Sequence, residues 1–118
     1  MKQNNRRIGA EQEKIAGTFL MQQGYEILSY NFYTRAGEID IVAKHGQYLV
    51  FVEVKYRKNA SSGHPLEAIS IQKQKKISKC ALYYMKTHGL DNVPVRFDVV
   101  SILGEEITIL QNAFEFII

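Results

Sequence analysis

Two stretches decide the fold: Gly37-Glu38-Ile39-Asp40-Ile41-Val42 and Val50-Phe51-Val52-Glu53-Val54-Lys55. Both are dense in branched and aromatic residues, as strands are. Between them His45-Gly46 offers a turn, with glycine free to take positive φ. The spacing predicts a hairpin of Gly37–Lys44 and Gln47–Arg57. With His45-Gly46 as a two-residue turn, Lys44 pairs with Gln47, Val42 faces Leu49, and Asp40 faces Phe51. Side chains alternate across a strand, so Glu38, Asp40 and Val42 share one face, as do Leu49, Phe51, Glu53, Lys55 and Arg57. Asp40 and Glu53 then lie diagonally, about 7–8 Å apart at the backbone.

Strands this apolar are usually covered on both faces, and charges interrupt them at a cost unless paired or metal-bound. A cross-strand salt bridge accounts for Glu53 with Lys55. Two carboxylates reaching for one cation, with a lysine beside them, account for the whole row. Hard carboxylate oxygens suit Mg²⁺ or Mn²⁺. Such an ion polarises a phosphate oxygen and acidifies water, while a lysine orients that water or neutralises developing charge. Those are the requirements of metal-dependent phosphodiester hydrolysis; on the residues alone this reading and the structural salt bridge both stand.

Outward from the hairpin, Gly9–Gln23 reads as a helix with Ile15, Ala16, Phe19 and Leu20 on one stripe. Tyr25–Tyr33 reads as a strand and Lys58–Pro65 as a polar loop. Leu66–Thr87 reads as a second helix, stopped by His88-Gly89. Val93–Ile102 and Glu106–Ile118 read as strands joined at Gly104. The order is α-β-β-β-α-β-β. The fold class is α/β: a mixed central sheet flanked by helices. Residues 1–118 are expected to form one domain, long enough to bury about two-thirds of its surface.

Net charge is +3, unevenly spread. Residues 55–97 carry nine basic groups against Glu67 and Asp91; residues 98–118 carry four acids and no Lys or Arg. The basic middle suits a polyanion, most simply nucleic acid, and equally a solvated helix face. A single cysteine, Cys80, excludes an internal disulfide and reads as a buried thiol. There is no apolar run of membrane-spanning length, and Met1–Arg7 lacks the apolar stretch of a secretory signal. The expected location is the cytoplasm, with no membrane partner. His45, His64 and His88 share no ligand spacing, and neither a zinc pattern nor a glycine-rich phosphate loop is present. Arg96 and Asp98 share a strand face and read as a structural bridge.

Asp40 followed by Glu53-Val54-Lys55 resembles the D…(D/E)-x-K signature of the restriction-endonuclease-like fold. With Gly9, Glu13, Ala16, Gly24-Tyr25, Asn31, Gly37-Glu38-Ile39-Asp40, Phe51-Val52-Glu53-Val54-Lys55 and Arg96-Phe97-Asp98, nearly the whole chain resembles the bacterial YraN-type family. These are small predicted endonucleases, similar to the archaeal Holliday junction resolvases. Gln12 departs from the pattern, standing where the family often has glycine. The resemblance implies a divalent-metal-dependent endonuclease acting on DNA, including branched DNA, with RNA still open. Asp40, Glu53 and the Val54 carbonyl would be metal ligands, Lys55 the catalytic lysine, and Glu13 an additional acid. Glu38 would hydrogen-bond rather than ligate. Lys73, one turn before Ile77 on the apolar side of the second helix, would reach over the sheet to a phosphate. Arg57, Lys58 and Lys76 would meet flanking backbone. A homodimer is compatible with the resemblance, since a resolvase cuts two strands. The competing expectation is a non-catalytic nucleic-acid-binding module of the same fold, serving a partner in recombination, repair or DNA uptake.

Overall fold

Apolar residues at successive strand positions need cover on both faces of the sheet. A computed structural model, describing residues 5–59 and 69–117, supplies that cover. The elements are α1 (Asn5–Gln22), β1 (Glu26–Thr34), β2 (Gly37–His45), β3 (Tyr48–Arg57), α2 (Ile71–Thr87), β4 (Val95–Leu103) and β5 (Glu106–Phe114). The sheet runs β1-β2-β3-β4-β5, with β3 and β4 parallel and the other neighbours antiparallel. This is the mixed sheet and the α-β-β-β-α-β-β order expected from the sequence, consistent with a nuclease-like α/β fold. Among the described residues, no helix is long and apolar enough to cross a membrane.

The helices lie on opposite faces. Ala16 and Leu20 of α1 pack on Ile41, Ala43, Val50, Val52, Val100 and Ile102. Ile77, Cys80, Ala81, Tyr84 and Met85 of α2 pack on Ile39, Val42, Leu49, Phe51 and Phe97. At 3.6 residues per turn, the α2 set falls on one stripe. The parallel step from β3 to β4 needs a long crossover, and α2 lies within it. Phe114 stacks on Phe97, Phe116 meets it edge to face, and together they close this second core. Gly17 lets α1 approach β1: a β-carbon there would collide with the Tyr30 hydroxyl.

Several boundaries differ from the sequence reading. Helix α1 begins at Asn5, before Gly9. Helix α2 begins after Ser70, whose hydroxyl accepts from the Lys73 N–H at 3.1 Å, so the N-cap sets its start. Leu66–Ala68, read as its first turn, and most of the Lys58–Pro65 loop lie outside the described residues. Strand β5 ends at Phe114, and the Ile117 N–H turns to the Ser78 hydroxyl.

The β2–β3 register also differs. His45 pairs with Tyr48 and Val42 with Phe51, two positions along from expectation. The turn is therefore Gly46-Gln47, with Gly46 at φ +59° in its first position. His45 remains in the strand, stacked on Tyr25 at 4.1 Å. A two-residue shift preserves the faces of β3, but carried one step further it sets Asp40 directly opposite Glu53.

The predicted single face for Glu38, Asp40 and Val42 does not form. Ile39 belongs to the α2 core and Ile41 to the α1 core, so alternation breaks at Asp40. The neighbouring strand breaks at the same level. Tyr30 approaches α1 and Phe32 meets Tyr84 of α2, although they are two residues apart. Asn31 between them has φ +54°, a left-handed conformation that asparagine tolerates better than most residues. Pairing of Tyr30 with Ile41 and of Phe32 with Ile39 holds the two breaks side by side.

A buried polar network centres on Asp98 of β4, in register with Val52 of β3. Arg96 forms two hydrogen bonds of 2.9 Å to Asp98, and the Tyr25 hydroxyl donates to Asp98 at 2.6 Å. The Asn112 N–H donates to Asp98 at 3.0 Å, and Gln111 donates to the Tyr25 hydroxyl. The structural bridge expected of Arg96 and Asp98 is present. Removing one member of a buried pair leaves the other charge uncompensated. Asp98→Ala should therefore lower the unfolding free energy by about 3–5 kcal/mol in urea titration, with Asp98→Asn milder.

Candidate functional site

The break at Asp40 brings together acids from different layers. Asp40 is 8% exposed. Its Oδ2 accepts the Val54 N–H at 2.8 Å, capping β3 where the β2–β3 ladder has ended at Ile41 and Val52. The Asp40 and Glu53 carboxyls are close enough to share a hydrogen bond, and Glu13 of α1 approaches Asp40 in the same way. Asn31 donates to Glu13 at 2.6 Å and, more weakly, to Glu38 at 3.5 Å. Glu38 thus accepts a weak hydrogen bond.

On the α2 side, the Lys73 ammonium lies 3.3 Å from Glu53 Oε2. The Glu53 side chain is 12% exposed and that of Lys73 46%. Glu53, Lys55, Ile69, Ser70 and Lys73 line an open groove of about 310 Å³. Lys55 follows Glu53 on the same face of β3 and is half-buried. Ser101, its register partner on β4, keeps a buried hydroxyl with no partner among the described residues.

The structure thus brings Asp40, Glu53, Glu13, Lys55 and Lys73 to one rim of the sheet. Val54 joins through its N–H. Three of the expected phosphate contacts lie elsewhere. Arg57 is exposed and folds its guanidinium onto the Tyr56 carbonyl at 2.9 Å. Lys58 is exposed just past β3. Lys76 is exposed on α2, beside Gly37 at the β1–β2 turn. Asn31 is the organiser for which sequence reasoning gave no role. Its signal was an asparagine amid aromatic strand residues, where left-handed backbone is affordable.

Burial sets the electrostatics. Desolvation, reinforced by hydrogen bonding and repulsion from Glu53, holds the Asp40 carboxyl far above the usual carboxylate range. Desolvation also raises Glu13 to about 7, against the opposing hydrogen bond from Asn31. Burial disfavours the Lys73 ammonium, but Glu53 and the other acids overcome this and raise its pKa. Acids crowded in this way invite a cation. Among the described residues, no three acidic, His or Cys side chains form a ready cation cage. Mg²⁺ does not need one, because one or two carboxylates, waters and substrate phosphates hold it. Asp40 and Glu53 fit that requirement.

These shifts fix the sign of a pH dependence. An acid whose folded pKa is raised binds more protons folded than unfolded, so stability falls as pH rises through the interval. Without divalent metal, the melting temperature should fall between about pH 5 and about pH 9, and Asp40→Asn should flatten the slope. Mn²⁺ should reverse it, binding more tightly as pH rises, because ligating carboxyls must ionise. Differential scanning fluorimetry across pH, with and without Mn²⁺, checks both.

Comparison with known proteins places this geometry in a family. Residues 12–102 match the model of a family described as "Uncharacterised protein family UPF0102". A UPF0102 protein of Lachnoclostridium phytofermentans is 50% identical over 113 residues, covering 95% of this chain and 96% of its own. Others in Clostridioides difficile and Desulforapulum autotrophicum are 42% and 44% identical, covering 94% and 98% of this chain and 99% and 98% of their own. The matched segment contains Glu13, Asp40, Glu53, Lys55 and Lys73. The chain belongs to UPF0102, the YraN-type family that its motifs resemble.

Proposed function

We propose that this protein is a divalent-metal-dependent endonuclease that hydrolyses phosphodiester bonds of DNA, with a preference for branched or otherwise structured substrates. The observation that carries the reading is the contact of the buried Asp40 carboxyl with the partly buried Glu53, beside a groove lined by Lys55 and Lys73. Asp40 and Glu53 would hold Mg²⁺ or Mn²⁺, with the Val54 carbonyl and Glu13 in supporting positions. When bound, the ion polarises a phosphate oxygen and lowers the pKa of water. The Val54 N–H fixes one oxygen of Asp40 and aims the other. Lys55 orients the attacking water or balances charge gathering on the phosphate. Lys73 meets a phosphate in the groove.

Arg57, Lys58 and Lys76, exposed outside the groove, would hold flanking backbone. Phosphate contacts position a substrate without reading its bases. A domain of 118 residues leaves little surface for base readout, which favours recognition of shape.

The test is cleavage of labelled duplex, single strand, flap and four-way junction across a Mg²⁺ and Mn²⁺ titration. Metal-dependent cleavage is expected, lost in Asp40→Ala and Glu53→Ala, and about 10²–10³-fold slower in Lys55→Ala. Binding should weaken steeply with salt. Full cleavage by Asp40→Ala would overturn the reading. Salt-sensitive binding without cleavage under any metal would instead support the non-catalytic module.

A further inference from the structure

Lys73 is a poor choice for its place in the helix. It occupies the third position after the Ser70 N-cap. A capping box puts Glu or Gln there, where the side chain can reach back to the cap N–H. The helix dipole also favours an acid in this turn, yet the first turn of α2 holds none. Local helix stability therefore argues against a lysine. What the lysine does have is Glu53, at 3.3 Å, on the opposite wall of the groove.

That ion pair is built to exchange. The Lys73 side chain is nearly half exposed, whereas Glu53 is almost covered. Pairs open to water on one side hold weakly. The lysine stem is long and rotatable, while its backbone is fixed by the Ser70 cap. The ammonium can therefore leave Glu53 without moving α2, and the groove between Lys55 and Lys73 is open to receive an anion.

Resting on the nuclease reading above, we propose that Lys73 is an internal counter-ion that Glu53 exchanges for the divalent cation, the freed ammonium then taking a substrate phosphate in the groove. Before loading, Lys73 holds the Glu53 carboxylate in place among repelling acids. On loading, one positive charge at Glu53 gives way to two. Release of the ammonium couples metal binding to phosphate binding, and the coupling is reciprocal. The lysine therefore opposes metal binding in the free protein and assists the loaded one on its substrate.

This predicts effects of opposite sign from one substitution. Mn²⁺ binding to DNA-free protein would be measured by isothermal titration calorimetry for wild type, Lys73→Gln and Asp40→Asn. Lys73→Gln should bind Mn²⁺ about two- to fivefold more tightly than wild type, the range expected for losing one half-exposed competing pair. The same variant should cleave more slowly at saturating Mn²⁺, and Lys73→Arg should retain both wild-type properties in large part. A lysine that only supported the fold would not tighten metal binding when removed. Unchanged or weaker Mn²⁺ binding by Lys73→Gln, with wild-type binding that Asp40→Asn abolishes, would overturn the exchange and leave the metal site standing. Absence of Mn²⁺ binding by wild type would overturn both.

Discussion

A β-strand cannot keep strict alternation and also gather acids from both of its faces. In this protein alternation gives way at one level of the sheet, where Asn31 on β1 adopts positive φ and Asp40 lies beside it on β2. Ile39 and Ile41 enter opposite cores as a result. Asp40, at the break, meets Glu13 from the α1 layer and Glu53 from the α2 side. Asn31 bonds to Glu13 and Glu38, so the residue that breaks the pattern also ties the acids to it. The rest of the site depends on this local irregularity.

Two clusters on the sheet handle buried charge differently. In one, Asp98 is saturated by Arg96, Tyr25 and the Asn112 N–H. That network has its acceptors and donors matched, as a buried structural bridge requires. In the other, Asp40 meets both Glu53 and Glu13, and the ammonium paired there, Lys73, is half exposed. Burial, with repulsion from neighbouring acids, raises the affinity of Asp40 and Glu13 for protons, which a divalent cation would displace. This contrast between a satisfied cluster and an under-compensated one singles out the rim near Asp40 as the place for chemistry.

Much of this was legible in the sequence, for identifiable reasons. The order of elements followed from hydrophobic periodicity, and the charges within Ile39–Val42 and Val50–Val54 marked the site because buried strands reject them. The hairpin register was off by two because His45 looks like a turn residue until its stack on Tyr25 is seen. That contact joins residues 20 apart and has no local signature. The face break at Asp40 was hidden for a related reason, since alternation is assumed when strands are read from sequence and Asn31 overrides it through its backbone angle. The basic residues of the middle segment could not be sorted by charge alone. Only the fold separates Lys55 and Lys73, which share the groove, from Arg57, Lys58 and Lys76, which do not line it.

The central claim is that Asp40 and Glu53 form one cation site that Lys73 guards. Anomalous diffraction from crystals grown with Mn²⁺ tests it most directly. The account predicts an anomalous peak within coordination distance of both carboxylates, with the Lys73 ammonium withdrawn from Glu53. A peak elsewhere, or none, with the Lys73–Glu53 pair intact at saturating Mn²⁺, would contradict it.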